Sequence, residues 1–314
     1  METDRKVQTA PPVTTRDGHR VMVTATASTP VEASQAVRLG AEGIGLFTCE
    51  ALYREKMRPP TEEELLAVYR PLAEVPGTRP AVIRLPDLDW QEWPDHGREK
   101  NPALGRRGIR LALAVPGLLR PQLRAVLRAG AARPVRLALP FVSSVNEVLR
   151  VKQLLSELAE ELAGTLVAVP YVGLMADLPA VAAAIDIMAC ETSFFHVGDN
   201  LIKYLMGTDD GNGPDLFDAA FLQQCRILIE NAHSRHKKVA VSAGIVREDA
   251  AVPVLIGLGF DELTVPAGSV APTRQLVQQT HYAASRLIAA KTLSFRDPRE
   301  ARAYAADALA KGRV

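Results

Sequence analysis

The chain has 314 residues, with 37 Lys and Arg against 36 Asp and Glu, a net charge of +1. That balance argues against a polyanion as the main partner, because a nucleic-acid binder needs a basic surplus on one face. With 47% hydrophobic and 23% charged residues the chain is no disordered segment, and no apolar run nears the ~20 residues of a membrane helix. The polar, Pro- and Thr-containing start METDRKVQTAPPVTTRDGHR does not read as a signal peptide. Cys49, Cys190 and Cys225 show no metal spacing and read as cytosolic thiols. A cytoplasmic protein with neither nucleic acid nor membrane as partner is expected.

Short β-branched runs alternate with longer amphipathic stretches. In chain order the strand candidates are VMVTATA from Val21, GIGLF from Gly43, AVIRL from Ala81, VRLALP from Val135, VGLMAD from Val172, FFHVG from Phe194, KVAVSAG from Lys238 and ELTVP from Glu262. They are short and apolar, as strands covered on both faces should be. Helical patterns lie between them, among them TEEELLAVYRPLAE, PGLLRPQLRAVLRAG, SVNEVLRVKQLLSELAEELAG, LPAVAAAIDIMAC and FDAAFLQQCRILIENAHSRH. Thr61 with Glu64, and Ser144 with Glu147, fit capping boxes, and Pro30 and Pro179 fit first-turn prolines. Eight strand-then-helix units predict a closed (β/α)8 TIM barrel over residues 21–290. An irregular arm over 1–20 precedes it, and a surface helix within 291–314 follows. An open doubly wound sheet is the rival, although no G-x-G-x-x-G links a strand to a helix.

In a barrel the chemistry sits where each strand ends and its following loop begins. Those places hold Thr48 and Glu50; Arg84, Asp87 and Asp89; Asp177; Asp199 and Asn200; Ser242; and Gly268 and Ser269. Arg106 and Arg107 lie in the long loop after the third strand. Arginines and carboxylates around one mouth suit an anionic substrate and a divalent cation held by oxygen.

GAEGIGLF from Gly40, PTEEE from Pro60, NPALGRRGIR from Asn101, and the segments VGLMADLPA, FFHVGDN, GNGPD and GLGFDELTVPAGSV in that order resemble the phosphoenolpyruvate-binding C-terminal half of Enzyme I of the sugar phosphotransferase system. Pyruvate phosphate dikinase and phosphoenolpyruvate synthase are relatives of that family. The resemblance runs from about Pro12 to about Thr280. It implies a TIM barrel of the phosphoenolpyruvate/pyruvate superfamily, a Mg2+ ion, a phosphoenolpyruvate-like or other small anionic oxoacid ligand, and a homodimer. The Enzyme I half that carries a phosphorylatable histidine has no counterpart motif among the six histidines, so the full phosphotransfer reaction is not expected in cis.

Carried over onto this chain, the resemblance makes Arg84, Arg107, Glu50 and Asn200 substrate-binding residues, and Asp177 and Asp199 metal ligands. The departures are as specific as the matches. Thr48 and Asp210 stand where the family has arginines, and Ala243 beside Ser242 stands where it has the enol-protonating cysteine. The loop Gly198-Asp199-Asn200-Leu201 is one residue short, so that either Asp199 replaces the metal ligand from a shifted position or the site has lost it. Ordinary Enzyme I chemistry is therefore expected to be lost or severely impaired.

Each residue also has a structural reading. Arg84 can pair with Asp87 or Glu50, Arg107 can be a solvated loop arginine, Asp177 can cap the next helix, and Asp199 can form a turn. His196, where the family has a small residue, is either a replacement general acid or a buried hydrogen-bonded histidine. Trp90 and Trp93 are expected to cover the mouth or an interface. Three functions remain open: a metal-dependent transferase or lyase acting on an enolisable oxoacid, a catalytically degenerate regulatory or scaffold homologue, and phosphotransfer in trans with a separate histidine domain.

Overall fold

The eight strands are β1 (Met22–Ala27), β2 (Ile44–Phe47), β3 (Ala81–Arg84), β4 (Val135–Leu139), β5 (Tyr171–Ala176), β6 (Phe194–Val197), β7 (Lys238–Val241) and β8 (Glu262–Val265). In the computed structural model they pair in parallel and in sequence order, and β8 closes on β1 from Met22 opposite Glu262 to Ala25 opposite Val265. Closure leaves no sheet edge, so the open-sheet alternative is excluded and the TIM barrel stands. The structure describes residues 10–56, 58–75, 80–89, 99–101, 104–208, 215–242 and 244–314.

Strand side chains alternate between the barrel interior and the helix layer. Leu46, Val82, Ala138, Met175 and Phe194 form a separate buried apolar cluster contributed by β2 to β6. Arg84 lies two residues beyond Val82, Asp177 two beyond Met175, and His196 two beyond Phe194. The period of two thus places all three on the same side as this cluster and toward the C-terminal ends of the strands. The much larger second cluster, including Phe47, Tyr69, Leu72 and Phe221, packs strands against helices.

Both expected capping boxes form, Thr61 with Glu64 and Ser144 with Glu147, and Pro30 and Pro179 occupy first turns. The stretch expected as one helix at LPAVAAAIDIMAC is two, Pro179–Ala183 and Ile185–Glu191, broken at Ala184 (φ −114°, ψ 23°). Two positions expected as loop residues instead open short helices: Glu50 begins Glu50–Lys56 and Asn200 begins Asn200–Met206. The helices Val270–Gln279 and Tyr282–Thr292 follow β8. Asp17, in the segment before β1, caps the second of these by accepting from the backbone of Tyr282 and Ala283 at 2.8 and 3.1 Å. The last helix, Pro298–Ala310, buries Ala301, Ala305 and Ala308, and its Arg302 bonds Glu248 and Asp215 in the loops after β7 and β6. Among the described residues no helix is long and apolar enough to cross a membrane.

Candidate active site

β3 delivers Arg84 as its last residue, and the chain then runs through Leu85 to Asp89 across the mouth. An antiparallel bridge between Asp89 and Arg107, with the Gly108 N–H donating to the Leu88 carbonyl at 2.9 Å, folds the long loop back onto this segment. Arg107 is thereby set beside Asp87.

The pairing is specific. Arg84 Nη2 donates to Glu50 Oε1 at 2.7 Å, and the same oxygen accepts from the Asp87 N–H at 2.8 Å. Arg107 holds Asp87 in a two-point grip, Nε to Oδ1 at 2.8 Å and Nη2 to Oδ2 at 2.9 Å. Its guanidinium also lies over the Phe141 ring, 4.3 Å from the centroid. Arg107 is therefore not a solvated loop arginine. Asn200 Nδ2 stands between two carboxylates, 3.2 Å from Asp177 Oδ1 and 3.4 Å from Asp87 Oδ2. The other oxygen of Asp177 accepts from the Phe141 N–H at 3.1 Å. Asp177 does not cap the helix that follows it, whose N-cap, Leu178, makes no side-chain bond.

Phe141 was not singled out from sequence, yet it serves both neighbours. Its backbone is left-handed (φ 57°), unusual for a bulky residue, and it directs the N–H to Asp177 while the ring lies under Arg107. Tyr204 meets the same ring edge-on at 5.2 Å.

Asp199 lies on a different wall. A Cβ on Gly244 would stand 1.7 Å from Asp199 Oδ2, so the glycine leaves the space that this carboxylate fills. Burial raises the proton affinity of Asp199, against the charges of Arg247, Arg84 and Lys203. It makes no side-chain cap for the helix that it precedes, and its Oδ1 is buried with no hydrogen-bond partner among the described residues. A cavity of about 400 Å³ opens beside it, lined in part by Lys203, Gly244, Arg247 and Arg302.

Burial and then the nearby Asp87 carboxylate push Asp177 up to about 6, against the pull of Arg84, the Phe141 N–H and Asn200. Burial and the charge of Arg84 pull His196 down to about 3, so its imidazole is neutral at pH 7, and Nε2 has no hydrogen-bond partner among the described residues. The expectation of a hydrogen-bonded histidine is not met at that atom. Acting as a general acid would require a bound anion to raise its proton affinity. Burial works against the charges of Arg84 and Arg107, but the surrounding carboxylates outweigh it and raise both. Arg84 Nε is likewise buried without a partner among the described residues.

The structure thus gathers Arg84, Glu50, Arg107, Asn200 and Asp177 into one network through Asp87, sets His196 within the field of Arg84, and puts Asp199 on a separate wall against Gly244. Thr48 shares a hydrogen bond with Ser28 at 2.9 Å. Trp90, Trp93, Asp210 and Ala243 lie outside the described residues. Among the described residues no three His, Cys, Asp or Glu side chains form a metal cage. Magnesium, however, is commonly held by one or two carboxylates together with substrate and water. The buried Asp177, short of positive charge, and the unpartnered oxygen of Asp199 fit that mode of binding.

The sequence matches the family described as PEP-utilising enzyme, PEP-binding domain, over residues 2–282. It is 35% identical over 276 residues to the phosphoenolpyruvate-protein phosphotransferase of Staphylococcus carnosus, covering 84% of this chain and 48% of that protein. It is 32% identical over 305 residues to the one of Bacillus subtilis, covering 93% and 54%. The chain spans about half the length of these curated relatives. Among solved structures it resembles a citrate lyase from Burkholderia xenovorans LB400, with TM-score 0.54, 14% identity and 93% of each chain covered. It also resembles the citrate lyase beta subunit from Mycobacterium tuberculosis complexed with oxaloacetate and magnesium, with TM-score 0.51, 14% identity, and 82% of this chain and 96% of that one covered. At such identity these two share the fold alone.

Proposed function

The chain belongs to the PEP-utilising enzymes through their PEP-binding domain, and from that premise we propose that its barrel mouth binds a small anionic, enolisable oxoacid of the phosphoenolpyruvate and pyruvate class together with Mg2+. The observation that carries this reading is Arg84, a partly buried guanidinium at the end of β3 whose Nε is buried and lacks an acceptor among the described residues. An unsatisfied buried donor on a charged group is costly unless a ligand completes it. Arg84 and Arg107 would take the carboxylate or phosphate, Glu50 orients Arg84, and Asn200 lines the site. Asp177, with Asp199 on the adjoining wall, would hold the cation. Bound there, Mg2+ would supply positive charge where an enolate develops. His196, neutral chiefly because it is buried and secondarily because of Arg84, would act as a general acid only with a bound anion beside it, which would confine that action to the ligand-bound state.

A thermal-shift series with oxalate, pyruvate and phosphoenolpyruvate, each with and without Mg2+, tests the reading. Stabilisation by oxalate that Mg2+ increases and that disappears in Arg84→Met is the expected result; no shift in any condition removes it. Phosphoenolpyruvate is expected to bind far more weakly than to a site with four arginines, because Thr48 and Asp210 replace two of them.

A second reading has its own observation. Both arginines already carry internal carboxylates, Glu50 and Asp87, so their charges are balanced without a ligand, as a degenerate regulatory or scaffold homologue would tolerate. Phosphotransfer in trans with a separate histidine domain is the third. A homodimer through mouth-side loops and helices is compatible with each.

A further inference from the structure

We infer that Asp87 is an internal stand-in for the anionic ligand, and that its release from Arg107 couples anion binding to divalent-cation binding. The inference rests on the oxoacid reading above and adds a residue and a linkage to it. Asp87 presents its carboxylate to Arg107 in the two-point geometry, 2.8 and 2.9 Å, that an oxoacid carboxylate would use. A ligand reaching Arg107 must displace it.

The consequence lies on the other side of Asp87. The same carboxylate and that of Asp177 flank Asn200 Nδ2 at 3.4 and 3.2 Å. Freed from Arg107, Asp87 adds an uncompensated negative charge beside Asp177, which is buried at 1% exposure. Among the described residues Arg84 is a second cation whose charge acts on both, and it is already bonded to Glu50. A divalent cation near Asp177 relieves that excess. In the other direction, such a cation draws Asp87 away from Arg107 and opens the guanidinium. The coupling is reciprocal by thermodynamic necessity. Without metal, Asp87 competes with any anion for Arg107.

Calorimetry of the full chain with oxalate, with and without millimolar Mg2+ and corrected for the Mg–oxalate complex in solution, tests this. In the wild type Mg2+ is expected to tighten oxalate binding about fivefold or more, within the usual range of coupling between sites. In Asp87→Asn, oxalate should bind more tightly than to wild type when metal is absent, and the Mg2+ effect should shrink below about twofold. Water-proton relaxation by Mn2+, titrated with and without oxalate, reads the same coupling from the metal side. Asp87→Ser, which also removes the charge, replaces Asp87→Asn should that variant fail to fold. An unchanged Mg2+ effect in the variant, or weaker oxalate binding in both conditions, overturns the stand-in role while leaving the anion site intact. Absence of oxalate binding by wild type in every condition overturns the oxoacid reading and this inference with it.

Discussion

The Asp177 carboxylate occupies the space that a side chain on Gly198 would need: a Cβ there would stand 2.4 Å from Asp177 Oδ1. The glycine just after β6 is thus the complement of the acid just after β5. Gly198→Ala is expected to push Asp177 off the Phe141 N–H and Asn200, costing about 1–3 kcal/mol of stability as overpacking does and abolishing Mg2+-dependent oxalate binding. Urea unfolding and thermal shift check the two parts. Gly244→Ala, acting on Asp199 instead, separates the contributions of the two acids.

Two buried groups give opposite pH dependences in overlapping windows. His196 is held at about 3, below its ordinary 6.5, so under acid the unfolded chain binds a proton that the folded chain refuses. Its contribution to stability is lost as pH falls from about 6.5 toward about 3. Asp177 is held up at about 6, above its ordinary 3.8, so its contribution is full below about 3.8 and is lost as pH rises through about 6. His196→Asn should make the protein less acid-sensitive. Asp177→Asn should gain stability at pH 7 relative to pH 4, on the order of 2–3 kcal/mol. Denaturant midpoints between these pH values decide both, and a wild-type slope in either variant refutes that assignment.

Behind Arg84 lies a buried polar cluster that the chemistry depends on only indirectly. Tyr53 Oη donates to Gln122 Oε1, Gln122 Nε2 donates to Tyr69 Oη, and Cys49 Sγ donates to the Arg84 carbonyl at 3.6 Å. Gln122→Leu leaves two tyrosine hydroxyls short of a partner and is expected to cost about 2–4 kcal/mol. Guanidinium unfolding with an unchanged m-value would check it; a loss within 0.5 kcal/mol, the range of ordinary surface changes, would refute it.

Light scattering at micromolar concentration tests the homodimer. Twice the 34.0 kDa chain mass is expected, and a mass equal to one chain counts against it.

The order of strands and helices, and the residues that end the strands, were legible in the amino-acid sequence because apolar periodicity is a local property. Arg84, Asp177 and His196 each fall two residues past an apolar position of the barrel interior, so their side of the sheet followed from the strand period alone. Their partners did not. Arg107 reaches Asp87 from 20 residues away and Asn200 reaches it from 113, contacts that exist only once the barrel closes and the long loop folds back through the Asp89–Arg107 bridge. Phe141 gave no signal, since its left-handed backbone and its place beneath Arg107 arise from the path of the loop rather than from residue type. Asp177 and Asp199 looked equivalent as acids after adjacent strands. The tertiary structure sets one in the arginine network and the other against Gly244, because the space left by two different glycines, and not the spacing along the chain, decides where each carboxylate can go.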